Sequence, residues 1–135
     1  MNQIELHPWT QKSELISYLN DNGIIPIAYS SLAPLAEWRS KEGQESAKTD
    51  EMISKGADTN SPFKSLAKKY NVTEAQILLR WGVQKGYPVL PKSTYQERIR
   101  LNMDLFSFEI DQGDLSAIED MDRGDGIAWA LGDPC

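Results

Sequence analysis

The sequence has one cysteine, Cys135, and one histidine, His7. A lone cysteine forms no intrachain disulfide, so a small secreted domain held by disulfides is not expected. One histidine excludes a multi-histidine metal site, and there are no clustered Cys and His pairs to hold zinc. Basic charge is also short, with 14 Lys and Arg against 20 Asp and Glu and a net charge of −6. A general nucleic-acid binder needs a basic face, so that class is not expected. No apolar run approaches the roughly 18 residues of a membrane span. The opening MNQIELHPW has no basic stretch followed by an apolar one, so it does not read as a signal peptide. A cytoplasmic protein with no membrane partner is the expectation.

The 135 residues, 40% hydrophobic and 25% charged, suit one globular domain. The charge is uneven. From Asp104 onward nine acids face Arg123 alone, a balance of −8, which leaves +2 on residues 1–103.

NQIEL at 2–6 alternates polar and apolar residues and predicts a strand. Thr10 is a candidate cap for a helix to about Asn22, with Leu15, Ile16 and Leu19 as its apolar stripe and Gly23 past its end. IIPIAY at 24–29 is a short apolar run suited to a strand buried on both faces. Residues 33–61 lack clear periodicity, and a loop of that length next to a strand end is expected to act as a lid. Ser61 and Pro62 start a helix that reaches Tyr70 and stops at Asn71. Thr73 and Gln76 form a capping box, with Val72 and Ile77 as the staple, for a helix to about Lys85 that stops at Gly86. PVLPK at 88–92 predicts a third strand, followed by a helix over Tyr95 to Asn102. A last helix starts at Asp111 with Asp114 at its third position and Ile110 against Leu115, and 122–135 reads as an irregular tail. Strands alternating with helices mean βα units on a parallel sheet.

The stretch VLPKSTYQERIRLN, 89–102, places Lys92, Ser93 and Thr94 where a strand gives way to a helix, with Arg98 and Arg100 just beyond. A helix start with unpaired N–H groups and a positive dipole end suits an anion. An ordinary strand–turn–helix with a solvated basic face accounts for the same residues, and the pattern alone leaves both open.

Three motifs occur in order: NQIELHP at 2–8, AYSSL at 28–32, and LPKS…ERI..N at 90–102. Together they resemble the C-terminal part of an aldo-keto reductase, nearest in flavour to fungal and yeast-type members. The resemblance covers nearly the whole chain. It implies part of a (β/α)8 barrel of TIM type, about the last three βα units with the C-terminal helix and tail, forming a single partial domain over 1–135. It also implies NADP(H) as cofactor and reduction of aldehydes or ketones as the family reaction. By that resemblance Gln3 bonds the nicotinamide carboxamide and Tyr29 stacks on the nicotinamide ring. Ser30 and Leu32 touch the pyrophosphate. Lys92, Ser93, Thr94 and Arg98 form the 2′-phosphate site, and Asn102 contacts adenine. Glu5 reads as an interior barrel carboxylate, His7 as a residue fixing a turn, and Arg100 as solvated. Three positions depart from the family pattern: Ser31 where proline is common, Ala33 where glycine is common, and Leu101 where an amide or acid is common.

The family's catalytic tyrosine, lysine, aspartate and histidine precede the NQIE strand, and no residue here matches them, so no catalytic or metal-binding residue is assigned. A full barrel takes about 250 residues. The chain is therefore expected to carry the cofactor-binding half, to lack catalytic power alone, and to self-associate or take a partner chain through open sheet edges. A small carbonyl compound is the expected substrate once the site is complete. A non-catalytic half-barrel that binds or regulates another protein is the alternative, as is a non-redox enzyme such as an isomerase or cyclase.

Overall fold

The computed structural model describes residues 1–35, 61–124 and 126. Strand β1 (Asn2–Glu5) and strand β2 (Pro26–Tyr29) pair in parallel, with Gln3 opposite Ile27 and Glu5 opposite Tyr29. Side chains of a strand alternate between faces. One face carries Ile4, Leu6 and Ala28, all buried under helices. The other carries Gln3, Glu5, Ile27 and Tyr29. At its amino end this second face is open: Gln3 is exposed, and Ile25, just before β2, is 57% exposed. Burial of the 24–29 run on both faces is therefore not what the structure shows. Among the described residues, helices cover one side only.

Between the strands runs α1 (Ser13–Asp21), which buries Ile16 and Leu19, with Leu15 packed beside them. Each such side chain contributes roughly 1.5–3 kcal/mol when fully buried. Gly23, at φ 66°, follows the helix end as expected. Thr10 is not the cap. It is fully buried and exchanges backbone hydrogen bonds with His7. Gln11 is held by tertiary contacts, its amide donating to the carbonyls of Pro8, Ile118 and Glu119. These ties keep the chain non-helical until Lys12, which sits in the left-handed region at φ 50°.

After β2 comes a short 3-10 turn, Ala33–Leu35. The rest of the expected 33–61 lid falls outside the described residues, apart from Ser61. Helix α2 (Pro62–Tyr70) begins after Ser61 with proline in its first turn and ends at Asn71, φ 55°. Ser61 makes no capping bond; its hydroxyl lies 3.4 Å from Glu74 Oε1. Helix α3 (Glu74–Gln84) has the expected capping box, with Thr73 and Gln76 bonding each other's backbone N–H. Phe63, Ala67, Ile77, Leu78 and Trp81 join the core with Ile4, Leu6, Trp9, Ile110 and Ile118.

The expected strand at 88–92 is shorter than its apolar run suggests. Only Val89 bridges Ala28, through Ala28 N–H to the Pro88 carbonyl at 2.8 Å and Leu90 N–H to the Ala28 carbonyl at 3.3 Å. Pro88 and Pro91 have no N–H to extend the ladder. Helix α4 (Gln96–Met103) buries none of its residues. Helix α5 (Gln112–Glu119) is capped by Asp111, whose carboxylate accepts from Asp114 N–H at 2.8 Å. Beyond it Arg123 N–H donates to the Trp9 carbonyl, so this part of the expected irregular tail is pinned to the chain after β1. Residues 125 and 127–135 of the tail lie outside the described residues. Among the described residues no helix is long and apolar enough to cross a membrane.

Candidate functional site

The residues singled out in the sequence gather at two neighbouring places. The first is the open face of the strand pair. Gln3 and Tyr29 lie on that face, one register step apart, because Tyr29 pairs with Glu5, two residues beyond Gln3. Gln3 is exposed, and no hydrogen bond holds its amide among the described residues. A glutamine buried to satisfy an interior would be bonded, so this amide is available to an incoming group. Tyr29 is half-buried at the carboxyl end of β2.

The chain then turns sharply. Ser30 has φ 55°, a left-handed conformation that costs a non-glycine residue energy and is often kept where a loop serves a site. Its carbonyl accepts from Ala33 N–H at 2.8 Å, and the buried Ser31 hydroxyl donates to the Ala28 carbonyl at 3.4 Å. Ser31 thus uses its hydroxyl to close the turn where the family has proline. Leu32 is half-buried against the core.

The second place is the turn from 92 into α4. The Ala28–Val89 bridge sets this turn beside the Ser30 turn, at the same carboxyl end of the sheet. Lys92 and Thr94 are exposed and Ser93 is half-buried. The Ser93 hydroxyl oxygen accepts from Tyr95 N–H at 3.2 Å and still has its own proton to donate. Tyr95 occupies the cap position without a side-chain capping bond, so the first N–H groups of α4 have no capping partner. Arg98 lies over the Tyr95 ring, 4.8 Å from its centroid. Among the described residues neither Lys92 nor Arg98 forms an ion pair. Arg100 differs: its guanidinium donates to both Glu97 oxygens, at 2.8 and 3.2 Å, so it is neutralised on the surface rather than simply solvated. Glu97 holds Arg100 more firmly protonated, and Arg100 pulls the Glu97 carboxyl below its ordinary value. Arg98 and Asn102, four residues apart, share one helix face. The structure therefore separates the two arginines that the sequence left side by side.

A third cluster was only partly legible. Glu5 and His7 were read as an interior carboxylate and a turn residue. They are bonded to each other, His7 Nε2 to Glu5 Oε1 at 2.8 Å, and both are buried. Burial holds His7 below its ordinary pKa of 6.5, against the pull of Glu5. Their spacing of two at a strand end was the available signal, since it puts both side chains on one face. Among the described residues no group of three His, Cys, Asp or Glu could hold a metal ion.

Two parallel strands with helices packed on one face form an α/β unit consistent with part of a TIM-type barrel. The profile of the Aldo/keto reductase family matches residues 1–123, and the chain belongs to that family. It is 36% identical over 124 residues to a probable NAD(P)H-dependent D-xylose reductase of Emericella nidulans, covering 90% of this chain and 36% of that protein. It is 38% identical over 121 residues to an NAD(P)H-dependent D-xylose reductase of Hypocrea jecorina, covering 89% of this chain and 35% of the relative. Among solved structures, an aldo-keto reductase of Bombyx mori in complex with NADP superposes with a TM-score of 0.74 at 29% identity, covering 93% of this chain and 38% of that one. An aldo-keto reductase from a deep-sea metagenome gives 0.71 at 31% identity, covering 93% and 40%. The chain thus spans just over a third of the length of these relatives.

Proposed function

We propose that these residues form the cofactor-binding part of an NADPH-dependent carbonyl reductase, the last three βα units of its barrel. One observation carries the reading. Lys92 and Arg98, two cations without ion pairs among the described residues, stand at a helix start with no side-chain cap, beside the open face that presents Gln3 and Tyr29. The residues present fit the cofactor. Gln3 has an amide that no described residue bonds, suited to the carboxamide, and Tyr29 offers an aromatic face for the nicotinamide ring. The Ser30–Leu32 turn lies at the strand ends for the pyrophosphate. Lys92, Ser93, Thr94 and Arg98 supply charge and donors for a 2′-phosphate, and Asn102 an amide for adenine. Bound NADPH supplies the hydride to an aldehyde or ketone. The residues of this chain bind and orient it.

We assign the proton donor for the carbonyl to none of the 135 residues. General acid catalysis is typically worth about 10²–10⁴-fold. The purified chain is therefore expected to oxidise NADPH negligibly with a generic aldehyde. Robust turnover by a chain of confirmed mass would place the acid among these residues and overturn that part of the reading.

The cofactor assignment is tested at Arg98. A guanidinium pairs two phosphate oxygens in a way an ammonium cannot. Arg98→Ala is expected to weaken NADPH binding by about 2–3 kcal/mol, as for a charge-assisted bond, and to leave NADH nearly unchanged. Equal losses for both cofactors in a fluorescence titration would contradict it.

A further inference from the structure

Glu5 and His7 sit where β1 ends, and the chain that follows α5 comes back to meet them. His7 is fully buried and Glu5 is 3% exposed, with 2.8 Å between Nε2 and Oε1. The other carboxylate oxygen, Oε2, lies against Gly126, where an added Cβ would stand only 2.8 Å from it. The same stretch is tied down nearby. Arg123 N–H donates to the Trp9 carbonyl at 2.9 Å, Gln11 N–H donates to Asp122 Oδ1 at 3.1 Å, and the Arg123 guanidinium lies 4.1 Å from the Trp9 ring centroid. Among the described residues, none is a hydrogen-bond partner of the buried His7 Nδ1.

We propose that the Glu5–His7 pair is a proton-sensitive clasp, which holds the stretch containing Asp122, Arg123 and Gly126 on the carboxyl end of β1 and releases it when His7 takes a second proton. With His7 neutral, Nε2–H donates to the carboxylate and Nδ1 is a bare acceptor. Protonation puts an N–H on Nδ1 in a buried place where no described residue receives it, and an orphaned buried donor is costly. Among the described residues, the charged groups facing His7 are Glu5 on β1 and Asp122 and Arg123 beyond α5. Glu5 and Asp122 favour the imidazolium, Arg123 opposes it, and burial outweighs them all, holding His7 below 6.5. A histidine depressed on folding gives its full stability above its unfolded value of about 6.5 and loses it as pH falls below that. Because Glu5 pairs with Tyr29 and stands two residues from Gln3, opening the clasp would loosen the nicotinamide end of the cofactor seat. That last consequence rests on the function proposed above.

His7 is the sole histidine, so imidazole ¹⁵N signals of the full chain report it without ambiguity. The expected result is a neutral Nε2–H ring at pH 7 with no titration near 6.5. The protection factor of the Arg123 amide should then fall at least tenfold between pH 7 and pH 5. In His7→Gln, which can still donate to Glu5 but cannot titrate, that protection should stay flat. An ordinary titration near 6.5 with unchanged Arg123 protection would overturn the clasp, as would parallel loss of protection in His7→Gln. If His7→Gln does not fold, the histidine titration and Arg123 protection of the unaltered chain decide the matter. NADPH titrated over the same range separates the two claims. A clasp that opens without any change in affinity upholds the clasp and counts against the cofactor seat.

Discussion

Lys69 holds two carboxylates at 2.6 Å, Asp111 and Asp114, and the Tyr70 hydroxyl donates to Asp114 at 2.6 Å. The Lys69 hydrogen bond is the main reason Asp111 is lowered from 3.8 to about 2. A carboxyl depressed on folding stabilises above its unfolded value and loses that contribution as pH falls through its folded one. Lys69→Met should therefore be less stable than the unaltered chain at pH 6, with the gap closing between about pH 4 and pH 2. Denaturant melts at several pH values check this. Because the cluster is exposed, high salt should shrink the gap as well, and a gap unchanged by pH would contradict the assignment. None of this was visible in the sequence, since Lys69 and Asp111 are 42 positions apart. Gln3 and Tyr29 were legible only through the resemblance. The resemblance alone set Arg98 apart from Arg100, and the structure adds that Arg100 is paired with Glu97.

Among the elements, those whose ends are set by local chemistry were the ones read correctly. The Thr73–Gln76 box, the Asp111 cap and the stop at Asn71 all depend on residues within a turn of the boundary. Thr73→Ala should cost about 1 kcal/mol, the usual value of such a cap. Gln76 does more, because its amide also donates to the Asp104 carbonyl at 2.8 Å beyond the end of α4. Gln76→Leu should cost about 1–3 kcal/mol through loss of its bonds to the Thr73 N–H and the Asp104 carbonyl, each worth about 0.5–1.5 kcal/mol, and it should free the end of α4. Thermal melts of the two variants rank them, and equal losses would contradict the second tie. Thr10 was misread because Gln11 is held by carbonyls more than 100 residues away, a tertiary contact that local pattern does not reveal. The 88–92 strand was overestimated because its two prolines carry apolar character but no donor. That segment is also held from the helix side: a Cβ on Gly82 would lie 2.9 Å from Val89 Cγ1. Gly82→Ala should thus destabilise by about 1–3 kcal/mol through overpacking, offset in part by better helix propensity. The loss should be smaller in a Val89→Ala background, and a double-mutant cycle measures the coupling.

At the scale of the whole molecule, helices among the described residues cover one face of a two-stranded parallel sheet extended by the Val89 bridge, and the other face is left partly open. Ile25 and Leu90, 57% and 51% exposed, flank the open side, and among the described residues no strand pairs with the outer edge of β1 or of 88–90. Parallel sheets are normally covered on both faces, so an open face and open edges support the expectation of self-association or a partner chain. Analytical ultracentrifugation should show a concentration-dependent species larger than one chain, and a monomer at all concentrations would contradict this. The alternation of strands and helices was legible from periodicity alone. The open face was not, because an apolar run does not say whether anything packs on it.

The central claim is that Lys92 to Arg98 read a 2′-phosphate beside a nicotinamide seat at Gln3 and Tyr29. Backbone amide spectra of the chain, titrated first with NADP⁺ and then with NAD⁺, test it most directly. With NADP⁺ the shifted amides should be those of Gln3, Tyr29, Ser30 and the 92–98 turn. With NAD⁺ the 92–98 set should stay nearly still. Identical shift patterns for the two cofactors, or shifts confined to other parts of the molecule, would contradict the account.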